Sequence, residues 1–172
     1  MGYTTEFTGS VTVTPPLNPD EIDYLRRFAD SRRMDRTAGP YAVADTGFRG
    51  PDVKDYNRPP QGQPGLWCDW TPTDDGSAIR WNGTEKFRNA DEWMAYLIDT
   101  FLAPDAALSV ELRNRVPGRY YDPAFARFTF DHVVDGVIDA QGEDFDDRWR
   151  LAVTGSVVTR TDAATVWPGG GV

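Results

Sequence analysis

The chain reads as an α+β domain, and three observations support that class. Apolar residues alternate at the N-terminus and again through the C-terminal third, two stretches carry helical spacing, and strands and helices are segregated instead of repeating as β-α-β units. The expected architecture is a single domain over residues 1–160, with a mainly antiparallel sheet packed by two amphipathic helices at about 19–30 and 90–102. A C-terminal β-meander completes it, and residues 161–172 read as a loose tail. A length of 172 residues with 40% hydrophobic and 13% aromatic content suits one core.

Residues 3–13 place Tyr3, Phe7, Val11 and Val13 on one parity and Thr4, Glu6, Thr8, Ser10 and Thr12 on the other, which predicts a half-buried strand ended by Pro15-Pro16. Asn18-Pro19-Asp20-Glu21 supplies an N-cap, a proline at the first helical position and an acid at the third, so a helix follows, with Ile22, Leu25, Phe28 and Ala29 as its stripe. Residues 35–65 are rich in Gly, Pro, Asp and Asn and are longer than a plain connection, with a short strand expected at 41–44. Residues 66–71 and 78–81 read as a hairpin turned at 72–76.

The second helix carries Trp93, Met94, Leu97, Ile98, Phe101 and Leu102 on one face, with Asn89 as the expected cap and Pro104 past its end. Residues 106–116 fit a short helix or a strand. Beyond Ala126, strands are expected at 127–134, 137–141, 149–153 and 157–159, with turns at Asp135-Gly136, at Gly142-Glu-Asp144 and at Gly155.

A formal net charge of −9 argues against general binding to nucleic acid or anionic membranes, because like charge repels at long range. The single cysteine, Cys68, excludes an internal disulfide and suits a reducing cytoplasm. No apolar run reaches membrane-spanning length, and the N-terminus has no secretory pattern. Only Lys54 and Lys86 are lysines, a bias that genome base composition explains as easily as function. Neither a cofactor nor a metal motif stands out: a phosphate loop, a dinucleotide fingerprint, a nucleophile elbow and zinc spacing are all missing.

Trp67, Trp70 and Trp81 share one short stretch, and Trp brings a large apolar surface with an N–H that needs a partner. Pairing Thr71 with Ala78 sets Trp70 against Ile79 and Cys68 against Trp81 on the core face, leaving Trp67 beside Asp69 and Arg80 on the other. Trp67 is then either covered by the long loop or, if exposed, a stacking platform for a sugar, a base or a partner side chain, with Asp69 and Arg80 as its charged neighbours. Arg26, Arg27, Arg32, Arg33 and Arg36 crowd the first helix and its exit, where guanidinium forks suit a carboxylate or phosphate; Arg32 or its neighbours are expected to make structural ion pairs first. Tyr56 and Asn57, in the long loop, join Arg32 and Arg33 as candidate ligand contacts. His132, the lone histidine, shares a face with Phe128, Phe130 and Val134 and reads as a satisfied core residue. Cys68 and His132 would make a nucleophile and base only if the fold joined them. The acidic run Glu143-Asp144-Phe-Asp146-Asp147 reads as a solvated turn, with Glu143 and Asp144 as weak metal candidates.

The opening Met1-Gly-Tyr-Thr-Thr5, the segment Gln63-Pro-Gly-Leu-Trp-Cys68 with Trp70, the Glu85-Lys-Phe87 triplet, and Asp131-His-Val-Val-Asp-Gly136 running into Gln141-Gly-Glu-Asp144 together resemble a family of uncharacterised small bacterial and phage-borne proteins. The resemblance covers most of the chain, with 105–121 the least similar part, and it implies no activity and no site residue. From the residues themselves, the expectation is a non-enzymatic cytoplasmic protein that binds a protein or small ligand through Trp67 and the 35–65 loop. The rival is a small hydrolase or transferase using carboxylates from Asp55 and the Glu143-Asp144 turn, with or without a divalent metal, and Arg32 or Arg33 for an anionic substrate. A third reading is an acidic inhibitor or immunity-type protein that masks a basic partner.

Overall fold

The computed structural model describes residues 3–43 and 52–162. Strand β1, Thr5–Thr14, shows the expected alternation, with Phe7, Val11 and Val13 buried between exposed neighbours. Helix α1, Pro19–Ala29, starts with the predicted capping box: Asn18 Oδ1 accepts from Glu21 N at 2.9 Å, and Glu21 Oε1 accepts from Asn18 N at 2.8 Å. Its buried face is rotated from the expected stripe, for Glu21 and Tyr24 are buried with Leu25, Phe28 and Ala29, while Ile22 is only half-buried. The cause is a partner invisible in the helix itself: Glu21 is drawn inward to His132.

The long loop contains a two-stranded antiparallel sheet, β2 at Asp35–Arg36 and β3 at Val53–Asp55. The strand expected at 41–44 does not form over 41–43, and Ala44 lies outside the described residues. Tyr41 is instead buried as an anchor, donating to Glu111 Oε2 at 3.0 Å.

Strands β4, Trp70–Pro72, and β5, Ala78–Trp81, form the hairpin, but two residues out of the expected register: Trp70 pairs with Trp81 and Thr71 with Arg80. The neighbouring strand decides this offset. Ser77 O accepts from Val13 N and Gly76 O from Leu17 N, so the residues before β5 extend its pairing with β1 and its linker, and the turn moves to the residues between Thr73 and Ala78. Because side chains alternate with period two, an offset of two keeps the faces, and Cys68, Trp70 and Ile79 remain in the core. Trp81 is only partly buried, packed edge-on to Phe7 with its Nε1 donating to Thr84 O.

Helix α2, Ala90–Leu97, continues through a π-helical turn, Ile98–Leu102, so the predicted span to 102 is helical throughout. Asn89 is not its side-chain cap. Its backbone is left-handed and its Nδ2 donates to Pro64 O at 2.7 Å, tying the loop to the helix. Residues 106–116 resolve into helix α3, Ala107–Arg113. The strand expected at 127–134 is largely absent: a 3₁₀ turn spans Pro123–Arg127, and β6 begins at Val133.

Strand β6 runs unbroken over Val133–Gly142, so Asp135-Gly136 is not a turn; Gly136 pairs with Val11 on one side and Val153 on the other. With β7, Arg148–Thr154, and β8, Val157–Asp162, it makes the predicted meander, which takes in the first two residues of the expected tail. Residues 163–172 lie outside the described part. The sheet is antiparallel in the order β4-β5-β1-β6-β7-β8. Its inward residues, Phe7, Val11, Val134, Ile138, Trp149 and Leu151, share a single core with Tyr24, Phe28, Trp93 and Phe101 of the helices. This is one α+β domain. Among the described residues no helix is long and apolar enough to cross a membrane.

Candidate functional site

Trp67 stays outside the core, 42% exposed, just before the edge strand β4. Asp69, two residues on, is the surprise: it is 2% exposed and makes no ion pair among the described residues. Its expected pairing with Arg80 is overturned by the register, because Arg80 sits opposite Thr71 and Ser10 and projects to solvent. Burial pushes the Asp69 carboxyl up to about 6, tempered by a hydrogen bond with the Asn82 side chain. Asn82 is held close because its N–H donates to Asp69 O at 2.9 Å.

A cavity of about 310 Å³ opens here, with Trp67 and Asp69 in its lining beside Asn82, Asp30, Glu85 and Lys86. A second, of about 340 Å³, is lined by Trp67 and Lys86 with Gly65, Leu66 and Arg88. One exposed indole therefore serves two adjoining hollows. In the first, three carboxylates stand against one ammonium. An aromatic wall, a buried carboxylate with no cation on it among the described residues and an acidic rim are chemically suited to a positively charged group. Of the described residues of the 35–65 loop, only Gly65 contributes to these walls.

The arginines separate by role. Arg26 reaches Asp74, Arg27 reaches Asp23 and Asp122, and Arg36 reaches Asp52, which are the expected structural ion pairs. Arg32, past the end of α1, lies over the Tyr56 ring at 4.2 Å, with Nε donating to Tyr56 O and Nη2 to Asn57 Oδ1. The structure thus joins Arg32, Tyr56 and Asn57 in one cluster, apart from Trp67. The ion pair expected for Arg32 is thus not formed among the described residues, and Arg33, 2% exposed, holds no carboxylate among them either. It stacks on Phe28 at 4.1 Å and donates to Gln63 Oε1 and to the carbonyls of Pro40 and Ala42, fastening the loop to α1.

The residues considered for catalysis go to structural uses. His132 is buried, with Nε2 2.8 Å from Glu21 Oε2 and Nδ1 2.6 Å from Pro15 O. Cys68 is fully buried and its thiol is pushed up to about 12, which suppresses the thiolate; among the described residues the hydrogen bonds of the His132 ring go to Pro15, Glu21 and Thr129, not to Cys68. Glu143 Oε2 accepts from Thr4 N at 2.6 Å and Thr4 Oγ1 at 3.0 Å, and Asp147 Oδ2 accepts from Tyr3 OH at 2.5 Å. The acidic turn therefore clasps the start of β1. Asp55 lies in β3, accepting from Asn57 N, far in topology from that turn. Among the described residues no group of three or more His, Cys, Asp or Glu could hold a metal ion.

Sequence reading passed over Asn82, Lys86 and Lys54. A signal was present in the two lysines, for in a chain that otherwise carries its positive charge on arginine each lines a cavity. Compared with known proteins, the chain matches no family model, and no curated protein or solved structure is significantly similar to it.

Proposed function

We propose that the protein is a non-enzymatic, cytoplasmic binding protein that receives a cationic side chain of a basic partner in the hollow between Trp67 and Asp69. The single observation that carries this reading is a buried carboxylate without a cation in the wall of a cleft beside a half-exposed indole. An uncompensated buried carboxylate is destabilising, and a guanidinium entering the cleft would both stack on Trp67 and pair with Asp69. The net charge of −9 steers such a partner from a distance and favours the masking of a basic protein over capture of a neutral ligand. The buried Cys68, with no second cysteine to pair with, supports the cytoplasmic setting.

The test is a titration with N-acetyl-arginine amide followed through the Trp67 indole N–H resonance, beside co-purification with the full chain as bait. Saturable shifts at Trp67 and Asp69 that disappear in Asp69→Asn, with a captured basic protein released by Trp67→Ala and not by Arg80→Ala, are expected. Shifts that are unchanged in Asp69→Asn would sink the reading.

A further inference from the structure

A third cavity, about 480 Å³, lies away from Trp67, between the small β2-β3 sheet and the segment that follows α3. Its charge is opposite in character. Arg36, Lys54 and Arg119 line it, and Asp35 is the one carboxylate among the lining residues. Arg36 uses Nη1 on Asp52 and Arg119 uses Nη1 on Glu111, but Lys54 makes no ion pair among the described residues. Arg36 Nη2 is buried with no hydrogen-bond partner among the described residues. Behind the wall stands Arg33, a fully buried cation without a carboxylate, close enough to Arg36 for the two charges to repel.

Two hydroxyls of the wall are engaged within the protein: Tyr41 donates to Glu111, and the Tyr96 hydroxyl accepts from Gln63 Nε2; both side chains bring ring surface to the cleft. Arg119 is also placed, not merely near. It lies across Gly39, whose φ of +97° suits glycine and where an added Cβ would come within 2.8 Å of Arg119 Cγ. Tyr120 N donates to Ala38 O at 2.7 Å and locks the two segments together.

We infer that this cleft binds an oxyanion, phosphate or carboxylate, carried on a small organic body that packs against the tyrosines. The volume lies in the range of small-molecule sites and exceeds what a bare phosphate needs. Guanidinium forks and an ammonium form charge-assisted bonds to oxyanions. The acidity of the whole chain does not forbid this, because in physiological salt charges beyond roughly 8 Å are largely screened and the described lining itself presents Arg36, Lys54 and Arg119 against Asp35. Nothing here depends on the Trp67 hollow, and either site stands if the other fails.

The experiment is a ¹H–¹⁵N NMR titration of the full chain with inorganic phosphate, inorganic pyrophosphate and acetate, each at matched ionic strength. Saturable shifts are expected at the amides of Thr37, Gly39 and Lys54 and at Arg36 Nε. Saturation by the phosphates alone identifies a phosphate site, and saturation by acetate as well identifies a carboxylate site. Lys54→Ala, at an exposed position, should weaken binding roughly tenfold or more. Gly39→Ala keeps every charge but displaces Arg119, and should weaken it comparably. Linear shifts, shifts of equal size at the exposed Arg80, or an affinity unchanged in Lys54→Ala would overturn the assignment.

Discussion

The Glu21–His132 pair joins the first helix to the sheet, and its chemistry can be worked out from two contacts. The two closest partners of the imidazole are acceptors, Pro15 O at Nδ1 and the Glu21 carboxylate at Nε2, with the Thr129 hydroxyl farther off at 3.2 Å from Nε2. A neutral ring has one N–H and would turn a lone pair toward one of them, so the geometry calls for the imidazolium. Burial opposes the charge on each group. The hydrogen bonds from Glu21 and Pro15 outweigh it for His132, which is raised above 6.5, and those from His132 and Asn18 outweigh it for Glu21, which is lowered below 4.5. Asp131, 3.8 Å from Nε2, adds to the same sign, and Thr129 N and Oγ1 also donate to Glu21 Oε2.

The sign of the pH dependence follows from these directions. The histidine contribution is complete below 6.5 and is lost as pH rises through its folded value, while the glutamate contribution is complete above 4.5 and is lost as pH falls through its own. Between those limits the pair is at full strength. At 2.8 Å and an effective dielectric of 20 the direct attraction is about 6 kcal/mol, much of it offset by desolvation of both ions. Removing one partner strands the other in the core, so His132→Gln should cost about 3–5 kcal/mol at pH 5.5, or roughly 6–20 °C in melting temperature. Glu21→Gln should cost less, since the neutral amide keeps part of the cap. Urea unfolding at pH 5.5 and 9 measures both, and wild type should be less stable at the higher pH. Because His132 is the only histidine, its ring C–H resonance titrates unassisted. A midpoint at or below 6.5, or a loss under 1 kcal/mol in His132→Gln, would refute the reasoning.

Two further outcomes test the fold and the site. Asp69 binds protons more tightly folded than unfolded, so stability should fall as pH rises from 3.8 through about 6 and stay low above; Asp69→Asn should therefore gain roughly 1–3 kcal/mol at pH 8 by urea unfolding, and a loss there would mean that an unseen cation already neutralises it. Gly136→Ala should cost about 2 kcal/mol or more, because its φ is +149° and the new Cβ would lie 2.8 Å from Val11 Cα, whereas Gly83→Ala, with φ +87° and nothing within 4 Å, should lose only about 1 kcal/mol of backbone strain in the same thermal melts.

Much of the fold was written locally. The alternation of Phe7, Val11 and Val13, the capping box at Asn18 and Glu21, and the stripe from Trp93 to Leu102 each rest on neighbours a few residues away, and each predicts its element from the chain alone. The exposure of Trp67 was legible for the same reason, since parity survives a two-residue offset in register. What failed involved partners distant in sequence. The hairpin offset depends on Val13 and Leu17, the inward turn of Glu21 on His132, and the straight run through Asp135-Gly136 on close backbone approach to Val11. Tertiary structure alone buried Asp69 without a cation and Arg33 without a carboxylate, and it alone gathered Arg36, Lys54 and Arg119 around one cleft. Periodicity encodes which way a side chain faces, but the charge it meets there is set by chain segments whose approach no local pattern records.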